Sequence, residues 1–134
     1  MGEAGRLSTV DEVAGAYVEE YAALDPLAAT RLGIAGHESD MTDFGPEGVA
    51  ARAELARRAR GRLEAVAPGA GPSRLAADVM AERLQADLDA HEAGEWRRDL
   101  NILSSPVQHV RESFDLMATD TDEDWTAVAD RLAA

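Results

Sequence analysis

Apolar residues recur at three- and four-residue intervals along most of the chain, which is the spacing of amphipathic helices that bury one face. The first such stripe consists of Val10, Val13, Ala14, Tyr17, Val18, Tyr21 and Leu24. Ser8 and Asp11 have a spacing similar to that of a capping box at the start of this stripe. The pattern therefore predicts a first helix over residues 8–24.

A second, shorter helix is predicted directly after the first. Asp25 is a favourable N-cap residue, and Pro26 is tolerated at the first helical position. Gly33 is a typical helix stop. Residues 36–45, here called the His37 loop, have neither a helical nor a strand period and are predicted to be irregular.

The middle of the chain predicts two long helices, one from Pro46 to about residue 67 and one over about residues 73–94. Their predicted inward positions are Val49, Ala56, Ala59, Leu63 and Val66 in the first and Ala76, Met80, Leu84 and Leu88 in the second. The Pro- and Gly-rich residues 68–72 form a short turn, which implies an antiparallel hairpin. Because arginines dominate one helix and carboxylates the other, ion pairs across the hairpin are expected.

The last third of the chain predicts two more helices. Residues 96–106, here called the connector, are expected to be irregular and to lead into a helix over about residues 106–117. Thr121 and Asp124 form a second capping box, which starts a helix that runs to the end of the chain. No Gly or Pro stop follows Leu132, so we expect residues 1–134 to be one helical region at the N-terminus of a larger protein. The fold class is all-α, with five or six helices and a central antiparallel hairpin.

Charge and composition narrow the classes of function. The chain has 13 basic residues, all arginine, against 26 acidic ones, and its net charge of −13 disfavours binding to nucleic acid. It has no cysteine, which excludes disulfides, thiolate catalysis and cysteine-based metal sites. Neither an apolar signal core nor an apolar run of the ~20 residues that span a membrane is present. We therefore expect a cytoplasmic protein with no membrane partner.

The content of large apolar residues is low for a chain that folds alone. Leu, Ile, Val and Phe occupy 26 of the 134 positions. Together with the net charge, that share is close to the composition of disordered chains. We therefore expect the fold to need the remainder of a longer polypeptide or a helical protein partner, including a second copy of this chain.

Two motifs resemble metal sites but lack essential ligands. His91 and Glu92 begin like the helical zinc motif His-Glu-x-x-His, but Glu95 stands where the second histidine belongs. The alternating acids of residues 120–124 resemble the start of a calcium loop, but Trp125 occupies the position that requires glycine. We assign no catalytic, cofactor-binding or metal-ligating residue on this chain.

Two segments of the sequence are similar to one known family. Residues 25–34, which read DPLAATRLGI and are followed by Gly36 and His37, resemble the N-terminal signature of the bacterial family called domain of unknown function 885. Residues 98–108, which read RDLNILSSPVQ, resemble the segment after that family's first long helical hairpin. The order and spacing of the elements agree along nearly the whole chain.

The resemblance implies a role within a larger protein. Family members are much longer, almost wholly helical, and resemble zinc metallopeptidases whose His-Glu motif and second histidine lie far downstream of the matched region. This chain would then supply a helical scaffold and one wall of the substrate cleft, with neither the zinc nor catalytic activity of its own.

Loops carry function more often than helix faces do, so cleft-facing residues are expected in the His37 loop and around the connector. The candidates are His37, Asp40, Asn101, Ser105 and Gln108.

Two other functions are compatible with the sequence. One is an acidic helical module that dimerises or docks through the stripe of Val13, Tyr17 and Tyr21. The other is a metal or small-ligand site formed by His37, Asp40 and Asp43.

Overall fold

The computed structural model describes residues 9–134, and this part of the chain consists of helices joined by turns and loops. The α-helices are α1 (Val10–Leu24), α2 (Pro26–Leu32), α3 (Pro46–Ala65), α4 (Pro72–Glu92), α5 (Pro106–Asp115) and α6 (Asp122–Ala133), and a 3₁₀ helix spans Glu95–Arg98. The predicted all-α class and the number of helices are confirmed. None of the helices described is long and apolar enough to cross a bilayer.

Helix α1 begins at a capping box that differs from the predicted one. The side-chain oxygen of Thr9 accepts a hydrogen bond from the Glu12 N–H at 3.2 Å, and the Glu12 carboxylate accepts one from the Thr9 N–H at 3.1 Å. Ser8, the predicted cap, lies outside the described residues. Glu12 rather than Asp11 closes the box, because the acidic partner must lie three residues after the cap.

A single carboxylate fixes the corner between α1 and α2. Asp25 is the N-cap of α2, as predicted, and its Oδ1 accepts from the Ala28 N–H at 3.0 Å. The same oxygen accepts from the Thr42 hydroxyl at 2.7 Å, and Oδ2 accepts from the Tyr21 hydroxyl at 3.2 Å. Thr42 Oγ1 also accepts from the Leu27 N–H at 3.1 Å. One network of hydrogen bonds therefore joins both helices to the His37 loop.

Helices α3 and α4 form the predicted antiparallel hairpin. One core cluster packs the first part of α3 against the last part of α4 and contains Ala53, Ala56, Ala59, Leu84 and Leu88. A second cluster joins the other ends of the two helices through Leu63 and Ala77, and it includes Val10 and Val13 of α1. The core therefore lies between α1 and the hairpin.

One predicted inward position of α4 is wrong. Ala76 is exposed, whereas Ala77 is buried together with Leu84 and Leu88. A strict four-residue repeat advances about 40° around a helix at each step, because an α-helix has 3.6 residues per turn. Ala76 lies three such steps before Leu88 and is therefore rotated by about 120° from the buried face. Ala77 lies eleven residues before Leu88, is rotated by only about 20°, and stays on that face.

Ion pairs join α3 to α1 rather than to α4. Arg58 Nη2 lies 3.2 Å from Glu20 Oε2, and Arg62 pairs with the other carboxylate oxygen of Glu20. The hydrogen bond from Arg62 holds the pKa of the Glu20 carboxyl below its ordinary value. Toward α4, Arg60 donates a hydrogen bond to the uncharged Gln85. The prediction of ion pairs across the hairpin is therefore wrong for the described residues, because α1 packs beside α3 and presents Glu20 to its arginines.

The glycine at position 48 allows the His37 loop to lie against the first turn of α3. A Cβ atom on Gly48 would lie 2.7 Å from Cβ and Cγ of Asp43 and closer still to its carbonyl oxygen, whereas a Cβ atom on Gly61 would meet nothing within 4 Å. The two glycines of α3 therefore differ in their surroundings.

We expect Gly48→Ala to lower the free energy of unfolding by about 1–3 kcal/mol, because the backbone must shift to admit the methyl group. The matched variant Gly61→Ala should raise it by about 0.5–1 kcal/mol, because alanine favours the helix interior. Urea denaturation followed by circular dichroism measures both values. A Gly48→Ala variant that is as stable as Gly61→Ala would contradict the close contact.

Candidate functional site

A cleft of about 610 Å³ opens between α1, α3, α4 and the 3₁₀ helix. Three aromatic side chains line it: Tyr17 and Tyr21 of α1 and Trp96 of the 3₁₀ helix. Ala53 and Ala56 of α3 line it as well, and their small side chains leave room between the helices. The volume falls within the range of sites that bind small molecules or single side chains.

The two tyrosines of the cleft are held in fixed positions one helical turn apart. Their ring centroids lie 5.8 Å from each other, with the planes inclined by 35°. Tyr17 packs against the core of the hairpin, and the Tyr21 hydroxyl donates to Asp25. Burial raises the pKa of both hydroxyls, and the charge of Asp87 adds to the rise at Tyr17 as that of Asp25 does at Tyr21. Both rings are therefore uncharged at neutral pH.

The cationic side chains of the cleft are already engaged. Arg52 Nη1 donates to the carbonyl oxygen of Asp43 at 2.8 Å and to that of Leu24 at 3.4 Å. Arg98 forms an ion pair with Glu95. The charge of Arg98 is therefore paired, whereas Arg52 is held in place by neutral acceptors and keeps its positive charge.

Two carboxylates and one imidazole nitrogen of the cleft have no partner. Asp87 and Asp99 make no hydrogen bond or ion pair with any residue from 9 to 134. His91 also lines the cleft, and its Nδ1 atom is buried without a hydrogen-bond partner in the same part of the chain. A buried polar atom without a partner is uncommon, because it loses hydration without compensation. With Arg52, Arg98 and Glu95 included, the lining carries one more negative than positive side chain, and one imidazole nitrogen at its edge lacks a hydrogen bond.

Three predicted site residues come together around the connector. Asn101 Oδ1 accepts from the N–H groups of Leu103 at 2.9 Å and Ser104 at 2.8 Å. Gln108 Nε2 donates to the Asn101 carbonyl oxygen at 3.1 Å, and its Oε1 accepts from the Ser105 N–H at 3.1 Å. Asn101 lines the cleft, whereas Ser105 has no exposed surface with which to face a cleft and instead serves as the N-cap of α5.

The connector is apolar on its outer side. Leu100, Ile102 and Leu103 are 78%, 92% and 87% exposed, and Val107 in the first turn of α5 is 63% exposed. The connector is irregular beyond the 3₁₀ helix, as predicted, but the hydrogen bonds of Asn101 and Gln108 give its backbone a defined shape. The result is a cluster of large aliphatic side chains that are presented to solvent.

The other two predicted residues, His37 and Asp40, lie beside α6. Arg131 of α6 is fully buried, and its Nη2 donates to the His37 carbonyl oxygen at 2.5 Å. Its Nε donates to the Asp40 carbonyl oxygen at 2.9 Å, and its Nη1 to Thr30 Oγ1 at 3.0 Å. His37 Nδ1 lies 3.9 Å from Asp40 Oδ2. Neither residue lines the cleft, so the five predicted residues divide between two places in the fold.

Zinc is the metal that the family resemblance implies, and the described residues form no site for it. Within residues 9–134, no group of three or more His, Asp or Glu side chains lies close enough to hold a metal ion. Asp43, proposed above to join His37 and Asp40 in a metal or ligand site, instead accepts a hydrogen bond from the Gly45 N–H at 2.7 Å.

The stripe of Val13, Tyr17 and Tyr21 is only partly accessible. Val13 has no exposed surface and belongs to the core cluster with Leu63, and Tyr17 packs against the hairpin. Tyr17 and Tyr21 are half-buried and line the cleft, so docking of a partner through this stripe stays a prediction in which Val13 can take no direct part.

The sequence pattern did not predict the cleft, because its lining comes from four separate elements. It also missed Arg131, whose partners lie about 90 or more positions earlier in the chain. One signal was present: Arg131 follows Val128 by three residues and therefore lies on the apolar side of α6.

Comparison with known proteins identifies one family. The model of a family described as bacterial protein of unknown function, DUF885, matches residues 26–134. The matched range contains α2, the hairpin and the connector. No curated protein matches the chain.

We expect Arg131→Met to lower the free energy of unfolding by about 1–3 kcal/mol, because the His37 and Asp40 carbonyl oxygens lose the donors that the buried Arg131 supplies. It should also speed amide hydrogen exchange in the His37 loop. Arg111→Met is the matched control, because the Arg111 side chain is 86% exposed, and it should change stability by less than about 0.5 kcal/mol. Unchanged exchange in the His37 loop of the Arg131 variant would contradict this role.

Proposed function

Because the chain belongs to the DUF885 family of bacterial proteins, we propose that it is the N-terminal helical scaffold of a metallopeptidase-like protein and forms one wall of its substrate cleft. The zinc ligands and the general base belong, in this proposal, to downstream residues of a longer polypeptide. The chain alone then has no peptidase activity, and it acts in the cytoplasm as part of that polypeptide.

The observation that carries this proposal is the connector. Its aliphatic side chains, which include Ile102 at 92% exposure, form an apolar surface of the kind that marks binding sites on proteins. The hydrogen bonds of Asn101 and Gln108 hold its backbone in one shape, so little conformational entropy is lost when a partner or substrate binds. Asn101 also lines the cleft, which makes the connector and the cleft neighbours.

A second function is favoured by the same exposed side chains. The chain would be an acidic interaction module that associates with a second copy or a helical partner through the connector. Burial of Ile102 and Leu103 would supply the driving force for this association. The two functions differ in whether the connector contacts substrate or another folded surface.

In the polypeptide as its gene encodes it, we expect Ile102→Asp to lower kcat/KM for peptide hydrolysis by about tenfold or more. A carboxylate introduced into an apolar contact loses hydration without gaining a partner. Leu75→Asp is the matched control, since Leu75 is 65% exposed but lies on α4 outside the connector and the cleft. This control should keep the activity.

Thermal unfolding of both variants separates a loss of function from a loss of fold. A folded Ile102→Asp variant with unchanged peptide hydrolysis would contradict the proposed cleft wall. If the same variant lost a concentration-dependent self-association in sedimentation experiments, the interaction module would be the better account.

A further inference from the structure

We propose that the cleft between α1, α3, α4 and the 3₁₀ helix binds a protonated primary amine, either as a free alkylamine or as a lysine side chain. This inference goes beyond the scaffold role, and it depends mainly on groups that line the cleft. Three independent features of the cleft carry it.

The first feature is the aromatic wall. Tyr17, Tyr21 and Trp96 present three electron-rich rings to one cavity. Ring faces attract cations, with energies of about 0.5–2 kcal/mol that increase as water is excluded. One face of the Trp96 ring is already covered by the Arg97 guanidinium, whose carbon lies 4.7 Å from the ring centroid, so a ligand would have to use the other face of Trp96 or the two tyrosines. Aromatic walls of this kind are suited to an ammonium group with an apolar stem.

The second feature is the charge balance. The cationic Arg52 and Arg98 are engaged by backbone carbonyl oxygens and by Glu95, whereas the carboxylates of Asp87 and Asp99 have no partner among residues 9–134. Arg52 keeps its charge, because its acceptors are neutral, so the lining carries three carboxylates against two guanidiniums. The excess of negative charge favours the entry of a cation over that of an anion. The net charge of −13 further raises the local concentration of cations around the chain.

The third feature distinguishes a primary amine from a fully alkylated one. His91 lines the cleft, and its buried Nδ1 has no hydrogen-bond partner. In the tautomer that carries its proton on Nε2, Nδ1 is an acceptor. A primary ammonium group has three N–H donors and can supply the missing hydrogen bond once a rotation of the His91 ring brings Nδ1 to the cleft surface, whereas a quaternary ammonium group has none.

Titration calorimetry with n-hexylamine and its uncharged analogue hexan-1-ol tests the charge requirement at nearly constant shape. We expect hexylamine to bind with a dissociation constant of about 1 mM or lower and hexan-1-ol to bind at least about tenfold more weakly. Asp87→Asn should weaken hexylamine binding by about tenfold. Glu82→Gln is the matched control, because it removes one charge from an exposed position of α4 outside the cleft and should leave binding within about twofold.

Nα-acetyl-lysine methylamide distinguishes the two sources of the amine. Binding of this probe more tightly than hexylamine supports a lysine side chain as the ligand, and the reverse order supports a free alkylamine. Equal binding of hexylamine and hexan-1-ol, no binding of either, or equal weakening by Asp87→Asn and Glu82→Gln would overturn the proposal. These measurements involve no peptide hydrolysis, so their failure is distinguishable from failure of the scaffold role.

Discussion

The carboxylate of Asp25 is the constraint on which the rest of the described fold depends. Its two oxygens accept hydrogen bonds from the N–H of Ala28, the hydroxyl of Thr42 and the hydroxyl of Tyr21. The first begins α2, the second attaches the end of the His37 loop, and the third orients a ring of the cleft. A cap residue that usually acts on one helix thus determines how α1, α2 and the loop before α3 meet.

The small side chains of the core explain why a cleft exists beside it. Seven of the fourteen buried hydrophobic residues described are alanines. Ala53 and Ala56 contribute to the hairpin core and also line the cleft, because a methyl group does not fill the space between α3 and the tyrosines of α1. The low content of large apolar residues is therefore visible in the structure as an alanine-rich core with a cleft beside it. The large aliphatic residues that the chain does have in the connector are on the surface, where they are available to another molecule or another part of the polypeptide.

Local features of the sequence were sufficient to predict most helix boundaries. They were not sufficient to predict contacts between residues far apart in the chain. Asp25 with Pro26, the left-handed Gly33 and the capping box of Thr121 each act within about four residues, so their patterns predicted α2 and α6 correctly. The partners of Glu20 and Arg131 lie far away in the chain, and no local spacing distinguishes them from ordinary surface charges. The cleft was missed for the same reason, although Asn101 beside it was selected from its loop position.

The mass of the native polypeptide tests most directly the claim that this chain is a scaffold within a larger helical protein. An antibody against residues 26–134 would isolate the polypeptide from its source cells, and mass spectrometry would give its intact mass. The account predicts a single species several times heavier than the 14.3 kDa of this chain. A native species of 14.3 kDa alone would contradict it and would favour association with a separate partner through the connector.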